Sequence, residues 1–434
     1  MSPLTRRQFM QGTATIAAGA TLLGTSKQSW ANANERVRVA VVGIRGQGNG
    51  HIRAYAGMPN VEVAALCDID ENLFEDRLKP FDDQDMKRPK VETDIRRILD
   101  DDSIDAISIA TPNHWHALAS IWACEAGKDV YVEKPCSHNI HEGRVLVEAA
   151  KRNDRIVQHG TQIRSNPGII EAVEKLREGV IGEVYMARGL CYRWRGDIGK
   201  HADAPVPEGV DYNLWLGPAQ ERPFNPNRFH YNWHYHWDYG NGDIGNQGVH
   251  QMDIARWGLD VTMPKRITSM GNMYLWDDDK EVPNVITSAF DFPDDGEKGR
   301  MLVFDTRPWC TNDEKGARVG VIFYGSEGYM VIDSYSRYRT FLGNNEEPGP
   351  SRDESGNHHA NFIDAVRAHD VSMLNAPIIE GHYSSALCHL GLISAKLHRS
   401  LEFNPETEQI IGDDEASTLL TRDYRAPFTL PEWA

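Results

Sequence analysis

"RVRVAVVGIRGQGNGH", residues 36–51, decides the fold. Its first half is an apolar run interrupted only by Arg38, as expected of a strand covered on both faces in a parallel sheet. Its second half carries Gly43, Gly46, Gly48 and Gly50. Glycines so placed let the backbone turn tightly and bring a helix N-terminus against a pyrophosphate, although many glycine-rich turns bind nothing. The match to G-x-G-x-x-G is imperfect, because reading from Gly43 to Gly48 puts Arg45 at the middle glycine. A second buried strand, "VEVAALCDI" (61–69), places Asp68 20 residues beyond Gly48. A carboxylate there would accept hydrogen bonds from an adenosine ribose and repel a 2′-phosphate, favouring NAD over NADP. Asp68 would also serve as N-cap of the helix predicted in "DIDENLFEDRL".

The same grammar continues in "IDAISIAT" (104–111), "DVYVEKP" (129–135) and "RIVQHGTQ" (155–162), with helix-period segments such as "ALASIWACEAG" and "HEGRVLVEAAKR" between them. Strands alternating with helices predict an α/β fold with a doubly wound parallel sheet of right-handed crossovers over residues 34–160. From 161 to 434 the pattern differs. A helix at about 166–178 leads to the extended "GEVYMARGLCYRW"; then "RITSMGNMYLW", "NVITSAFDFPDDGEKGRMLVFDT" with a turn at 294–296, and "ARVGVIFYGSEGYMVID" give hairpin and meander signals. These predict a second domain on a mainly antiparallel sheet. Residues 196–247 form an irregular excursion, "LGNNEEPGPSRDESGN" (342–357) a solvated loop, and "HHANFIDAVRAH" and "HYSSALCHLGLISAKLHRS" two closing helices.

A chain of 434 residues with 40% hydrophobic and 25% charged residues is an ordinary globular protein of two or three domains. A formal net charge of −17 argues against a nucleic-acid partner or an anionic membrane surface. No stretch after the N-terminus is long and apolar enough to span a bilayer. "SPLTRRQFMQGTATIAAGATLLG" has paired Arg6 and Arg7 before a mildly apolar run, followed by small residues in "SWANA" (29–33). Residues 1–33 therefore read as a twin-arginine signal directing the protein to the periplasm or outside the cell, against the alternative of a frayed cytoplasmic N-terminus. Cys67, Cys124, Cys136, Cys191, Cys310 and Cys388 are scattered and read as buried thiols.

"ATPNHWH" (110–116) and "VEKP" (132–135) end two of the parallel strands. Ligands of such sheets bind beyond the carboxyl ends of the strands, so Thr111, Pro112, Asn113, His116, Glu133 and Lys134 should border a cofactor. Together with the glycine loop and "GNGDIGNQGVH" (240–250), these motifs make residues 36–400 resemble the Gfo/Idh/MocA family. The resemblance implies an NAD(P)-dependent sugar oxidoreductase with an N-terminal Rossmann domain and a C-terminal α/β domain on an open antiparallel sheet, pairing through its outer face into a homo-oligomer, dimer or tetramer. It implies Lys134 as the active-site lysine, a cis bond before Pro135, Glu133 near the nicotinamide ribose and His250 as the acid/base. The chain departs from the family's D-x-G-x-H pattern, with Asn246 in place of the aspartate and Asp243 a turn earlier. Asparagine can orient an imidazole or hold a sugar hydroxyl, but it supplies no charge to stabilise an imidazolium.

Oxidising a secondary alcohol needs a hydride acceptor and a group that takes the hydroxyl proton. Neutral histidine, with an ordinary pKa of about 6.5, suits the second task, and a lysine stabilises the developing charge. His250 as base and Lys134 as polariser follow, against plainer readings of a helix first-turn histidine and a surface lysine. "FNPNRFHYNWHYHWDYGNGD" (224–243) reads either as a carbohydrate site or as an aromatic loop packed on the sheet or at a subunit contact. Tyr231, His236, Asp243 and Asn246, with Gln162 and Arg164 from "GTQIRSNP", are the substrate candidates. His230, His234 and His236 match no metal-ligand spacing, and His382 and His389 share one helix face as packing residues. Outside the cytoplasm no free NAD pool is expected, so the cofactor would be retained and the chemistry redox-balanced. The partner is a small sugar or glycoside. The rivals are a glycosidase that borrows a hydride and a periplasmic carbohydrate-binding protein with a decayed cofactor site.

Overall fold

The computed structural model describes residues 36–293, 298–309 and 312–434. The expected export signal, the turn at 294–296 and Cys310 lie outside the described residues. The first sheet is parallel throughout and has strands β1 (Val37–Val42), β2 (Val61–Cys67), β3 (Lys90–Glu92), β4 (Ala106–Ile109), β5 (Asp129–Val132) and β6 (Val157–His159), in the order β3-β2-β1-β4-β5-β6. Every residue of β4 and β5 is buried, which explains their unbroken apolar runs. Strand order reverses between β1 and β4, and a crevice opens there beyond the carboxyl ends. β3, a short edge strand "KVE", has no sequence signal of its own.

The second sheet has ten strands: β7 (Val184–Cys191), β8 (Arg266–Asn272), β9 (Val285–Phe292), β10 (Arg300–Thr306), β11 (Val319–Gly325), β12 (Gly328–Ile332), β13 (Arg337–Leu342), β14 (Glu347–Asp353), β15 (Leu401–Asn404) and β16 (Gln409–Ile410). Their order is β14-β13-β12-β11-β7-β10-β9-β8-β15-β16, antiparallel except where β7 lies beside β10. β8 alternates exposed and buried residues along its whole length, as a sheet with one covered face requires. The helices Gly248–Leu259 and Ile378–Leu397 cover that face, and Phe290, Phe304, Phe323, Met252 and Leu390 fill the core between. No helix among the described residues is long and apolar enough to cross a membrane. The five described cysteines are free and buried.

One expectation about the second sheet needs correction. The stretch 342–357 is not simply a loop: residues Glu347–Asp353 form edge strand β14, with Asp353 opposite Arg337. Pro348 and Pro350 are tolerated because an edge strand leaves one row of N–H groups unpaired. The two sheets divide between β6 and β7, while packing crosses between the two parts. Phe362, Ile363, Val366 and Leu374, far along the second part, lie in the core that covers β1 and β2 beside Val39, Val41 and Tyr55.

Arg164 is a further correction. It does not face a ligand but makes paired hydrogen bonds to Asp253 (2.7 and 3.0 Å) and reaches Glu380 at 3.1 Å, with its side chain 5% exposed. Ser384 donates to Asp253, and Arg256 binds Glu380, so the two covering helices and the segment after β6 are locked by one buried ionic cluster. Removing one partner of such a cluster strands the others without compensation. Arg164→Ala should therefore cost about 3–5 kcal/mol in denaturant unfolding, and Arg164→Lys, which cannot fork onto Asp253, should not restore it.

Candidate active site

The glycine loop is shaped by contacts no side chain would permit. Gly43 has φ +81°, and a Cβ there would lie 2.7 Å from the Ala110 backbone; one on Gly48 would lie 1.9 Å from the Gly43 oxygen. Gly46 instead meets nothing within 4 Å on that side and borders the cleft, just before the helix Gln47–Ala56. Arg45 extends to solvent at the rim while its carbonyl, like that of Ile44, accepts from Arg77 at 2.8 Å. Asp68 accepts the Ile44 N–H (2.8 Å) and the Asp70 N–H (3.1 Å). Burial lifts its pKa to about 6 against the lowering pull of these amides. The cap of the following turn is Asp70, not Asp68, which leaves Asp68 at the cleft wall.

From there a cleft of about 450 Å³ runs to His250 and Tyr335. Thr111 and Asn113 line it with the Thr111 Oγ1 and Asn113 Oδ1 atoms buried and unpartnered, as is Gln162 Oε1 farther along. His116 borders the cleft but both its ring nitrogens lie on main-chain oxygens, Nδ1 on Pro135 (2.6 Å) and Nε2 on Thr111 (2.7 Å). It is thus a clamp between the two strand ends rather than a free cofactor contact. The peptide bond between Lys134 and Pro135 is cis.

Glu133 is held by residues without a sequence signal. Its Oε1 meets His51 Nε2 at 3.1 Å and Gln47 Nε2 at 3.3 Å, while His51 Nδ1 lies 2.9 Å from Ser108 Oγ. Burial would raise the Glu133 carboxyl, but the His51 hydrogen bond and the charge of Lys134 work against it, and it is held well below the usual carboxylate range. Lys134 Nζ donates to the main-chain oxygen of Asn246 at 2.7 Å, with Asn246 Oδ1 at 3.4 Å. Burial lowers the Lys134 pKa against the pull of Glu133. Asn246 therefore serves the lysine and not, as its place in the pattern suggested, the imidazole. His250 is 3% exposed, its Nδ1 has no partner, and its ring lies 5.2 Å from that of Tyr335. Burial, then the charge of Lys134, bring it down to about 3.

Of the other substrate candidates, Tyr231 lines the cleft and its hydroxyl accepts from Arg195 at 3.0 Å. Asp243 stands behind that arginine, 2.8 Å from its guanidinium, and does not reach the cleft. His236 is 2% exposed and points away, to the Asn227 oxygen (3.0 Å) and Glu281 (3.4 Å). Among the described residues no group of three or more His, Cys, Asp or Glu side chains is placed to hold a metal ion. Sequence reading missed Arg193, Arg195, Gln247 and Tyr335 on the cleft wall. The alternation of basic residues in "CYRWRG", directly after an apolar strand, was the available signal for the arginines; Tyr335 had none.

An extended cleft with an open glycine at a helix start, a carboxylate at the end of β2 and unpartnered buried acceptors behind β4 fits a nicotinamide dinucleotide. Residues 37–161 match the NAD-binding Rossmann-fold model of the Gfo/Idh/MocA oxidoreductase family, and residues 183–277 and 326–430 match that family's C-terminal alpha/beta domain. The chain belongs to this family, whose N-terminal domain is an NAD-binding Rossmann fold. A curated relative named glycosyl hydrolase family 109 protein, from Shewanella pealeana, is 27% identical over 154 residues, 35% of this chain and 34% of that protein. The match thus spans about a third of the relative's length. The fold also resembles the aldose-aldose oxidoreductase from Caulobacter crescentus (TM-score 0.65, 18% identity, 85% of this chain and 100% of that one). Levoglucosan dehydrogenase in complex with NADH superposes with a TM-score of 0.64 at 18% identity, over 85% of this chain and 99% of that one.

Buried neutral histidines surround this site. Burial holds His114, His159, His250 and His389 at about 3, below the 6.5 of an exposed imidazole. Between those two values the unfolded chain binds more protons than the folded one, so stability falls as pH falls. Melting temperature should drop steadily from about pH 6.5 towards 3; a flat profile over that window would show these side chains to be hydrated.

Proposed function

We propose that the protein oxidises a secondary hydroxyl of a sugar or glycoside using NAD. The observation that supports this best is the pair at the far end of the cleft: a buried imidazole with a free Nδ1, and a lysine amine held only by amide oxygens. A nicotinamide bound in the cleft supplies the hydride acceptor. His250, neutral at pH 7, accepts the hydroxyl proton at its unpartnered ring nitrogen. Lys134 keeps hydrogens beyond the one given to Asn246 and directs them at the oxygen where negative charge develops. Asn246 positions that amine without neutralising it. Asp68 favours NAD, since its charge at neutral pH opposes a 2′-phosphate. Tyr231, Gln162 and Arg195 offer polar groups to sugar hydroxyls.

The twin-arginine motif at Arg6 and Arg7 supports a periplasmic or secreted location, and with it a cofactor carried out with the folded protein and kept. A retained cofactor must be regenerated in place. The resemblance over 154 residues to proteins named glycosyl hydrolase family 109 favours a second reading, in which the hydride is returned after a glycoside is cleaved. Denaturing the purified protein should release NAD detectable by mass spectrometry. Exchange of a sugar C–H for solvent deuterium during glycoside cleavage, without added cofactor, would select the second reading over net oxidation. His250→Asn should lower kcat by about 10²–10⁴-fold while NAD remains bound; a variant with normal turnover would move the proton chemistry to Lys134.

A further inference from the structure

We infer that the substrate sugar carries a carboxylate, of the uronic-acid type, and that Arg193 binds it. This rests on the reading of the cleft as a sugar site and names the class of sugar. Arg193 and Arg195 lie two residues apart in the extended segment that leaves β7, and both line the cleft. Their electrostatic situations differ. Arg195 is compensated by the buried Asp243, 2.8 Å away, and turns a hydrogen towards Tyr231 Oη. Arg193 has no carboxylate within 4.0 Å among the described residues; its Nη1 donates only to the neutral Gln247 Oε1, at 3.2 Å.

That contact is built rather than incidental. Gln247 is 6% exposed and its amide donates to Tyr335 Oη (2.9 Å) and Gln251 Oε1 (3.3 Å), which fixes the acceptor that aims Arg193. One residue earlier, Asn246 holds Lys134, again through oxygens without charge. The 12-residue helix Gly248–Leu259 begins at the same place, with the positive end of its dipole beside both cations, and His250 presents its buried, unpartnered Nδ1 there. The carboxylates nearby are engaged elsewhere, Glu133 by His51 and Gln47 and Asp243 by Arg195. In a chain of net charge −17, this end of the cleft has an exposed guanidinium, Arg193, and a buried amine, Lys134, neither in ion-pair contact with a carboxylate among the described residues; Glu133 acts on Lys134 only at a distance. A planar guanidinium matches a carboxylate with two parallel hydrogen bonds, whereas a neutral hydroxyl takes one and leaves the charge uncompensated.

The test is calorimetric titration of the purified, cofactor-loaded protein with matched pairs: D-glucuronate against D-glucose, D-galacturonate against D-galactose, and their methyl glycosides. The acid of a pair should bind about 10- to 100-fold more tightly, and Arg193→Gln should bring that ratio close to one. Arg193→Glu should reverse the preference. Galactose 6-sulfate is the control for charge without a planar carboxylate; binding equal to galacturonate would overturn the assignment to a carboxylate. Equal or tighter binding of the neutral sugars, absence of binding by every acid, or an acid preference that survives in Arg193→Gln would each overturn the inference. The two readings fail separately. Oxidation of neutral sugars with no preference for acids removes this inference alone, while acids that bind through Arg193 without any hydride transfer remove the proposed reaction and leave the binding assignment.

Discussion

The site depends on a lysine amine resting on a main-chain oxygen. Lys134 projects from the end of β5, Asn246 stands just before the helix Gly248–Leu259, and the 2.7 Å contact between them ties the parallel sheet to the antiparallel domain at the floor of the cleft. The acceptor is an amide. A carboxylate would have brought a full countercharge and restored the basicity that burial removes; the amide fixes the position of the amine and leaves its charge to act outward. That charge is in turn one reason the neighbouring imidazole of His250 stays neutral. One contact thus sets the geometry of the lysine and places a charge that adds to burial in keeping the histidine neutral.

Two kinds of polar network surround this contact. Arg164, Asp253, Arg256 and Glu380 satisfy one another completely, as Arg195 and Asp243 do; these closed sets hold helices and loops in place and would lose stability if opened. Thr111, Asn113, Gln162 and His250 form the opposite case, each with a buried atom facing no partner. Buried polar atoms are rarely left so unless something binds them, and all four residues line the same cleft. Four such atoms on one cleft wall are polar groups that a bound molecule can meet.

The parallel half was legible because burial on both faces writes itself into β1, β4 and β5 as mainly apolar runs, and because Gly43 and Gly48 stand where a Cβ would strike the backbone. Lys134, Glu133 and His250 were legible through the motifs around them. Arg164 and His236 were not, because a charged or aromatic residue after a strand looks the same whether it faces a ligand or a partner. Arg164 finds its partners 89 and 216 residues away, and no local pattern reports that distance. Asn246 was found at the right place and given the wrong neighbour for the same reason. β14 escaped notice because prolines, glycine and glutamate are what an exposed edge strand and a loop have in common.

The packing of Phe362, Ile363, Val366 and Leu374 over β1 and β2 sets an order of assembly. During synthesis the parallel sheet leaves the ribosome first, yet the layer that Tyr55, Phe74 and Phe81 begin over one of its faces is completed only by residues about 200 positions beyond β6. Ile44 of the dinucleotide loop belongs to the same core, so the packing behind that loop is completed only with those distant residues. Contacts so distant in sequence carry a high closure cost, and they slow the completion of this layer relative to the helices that begin it.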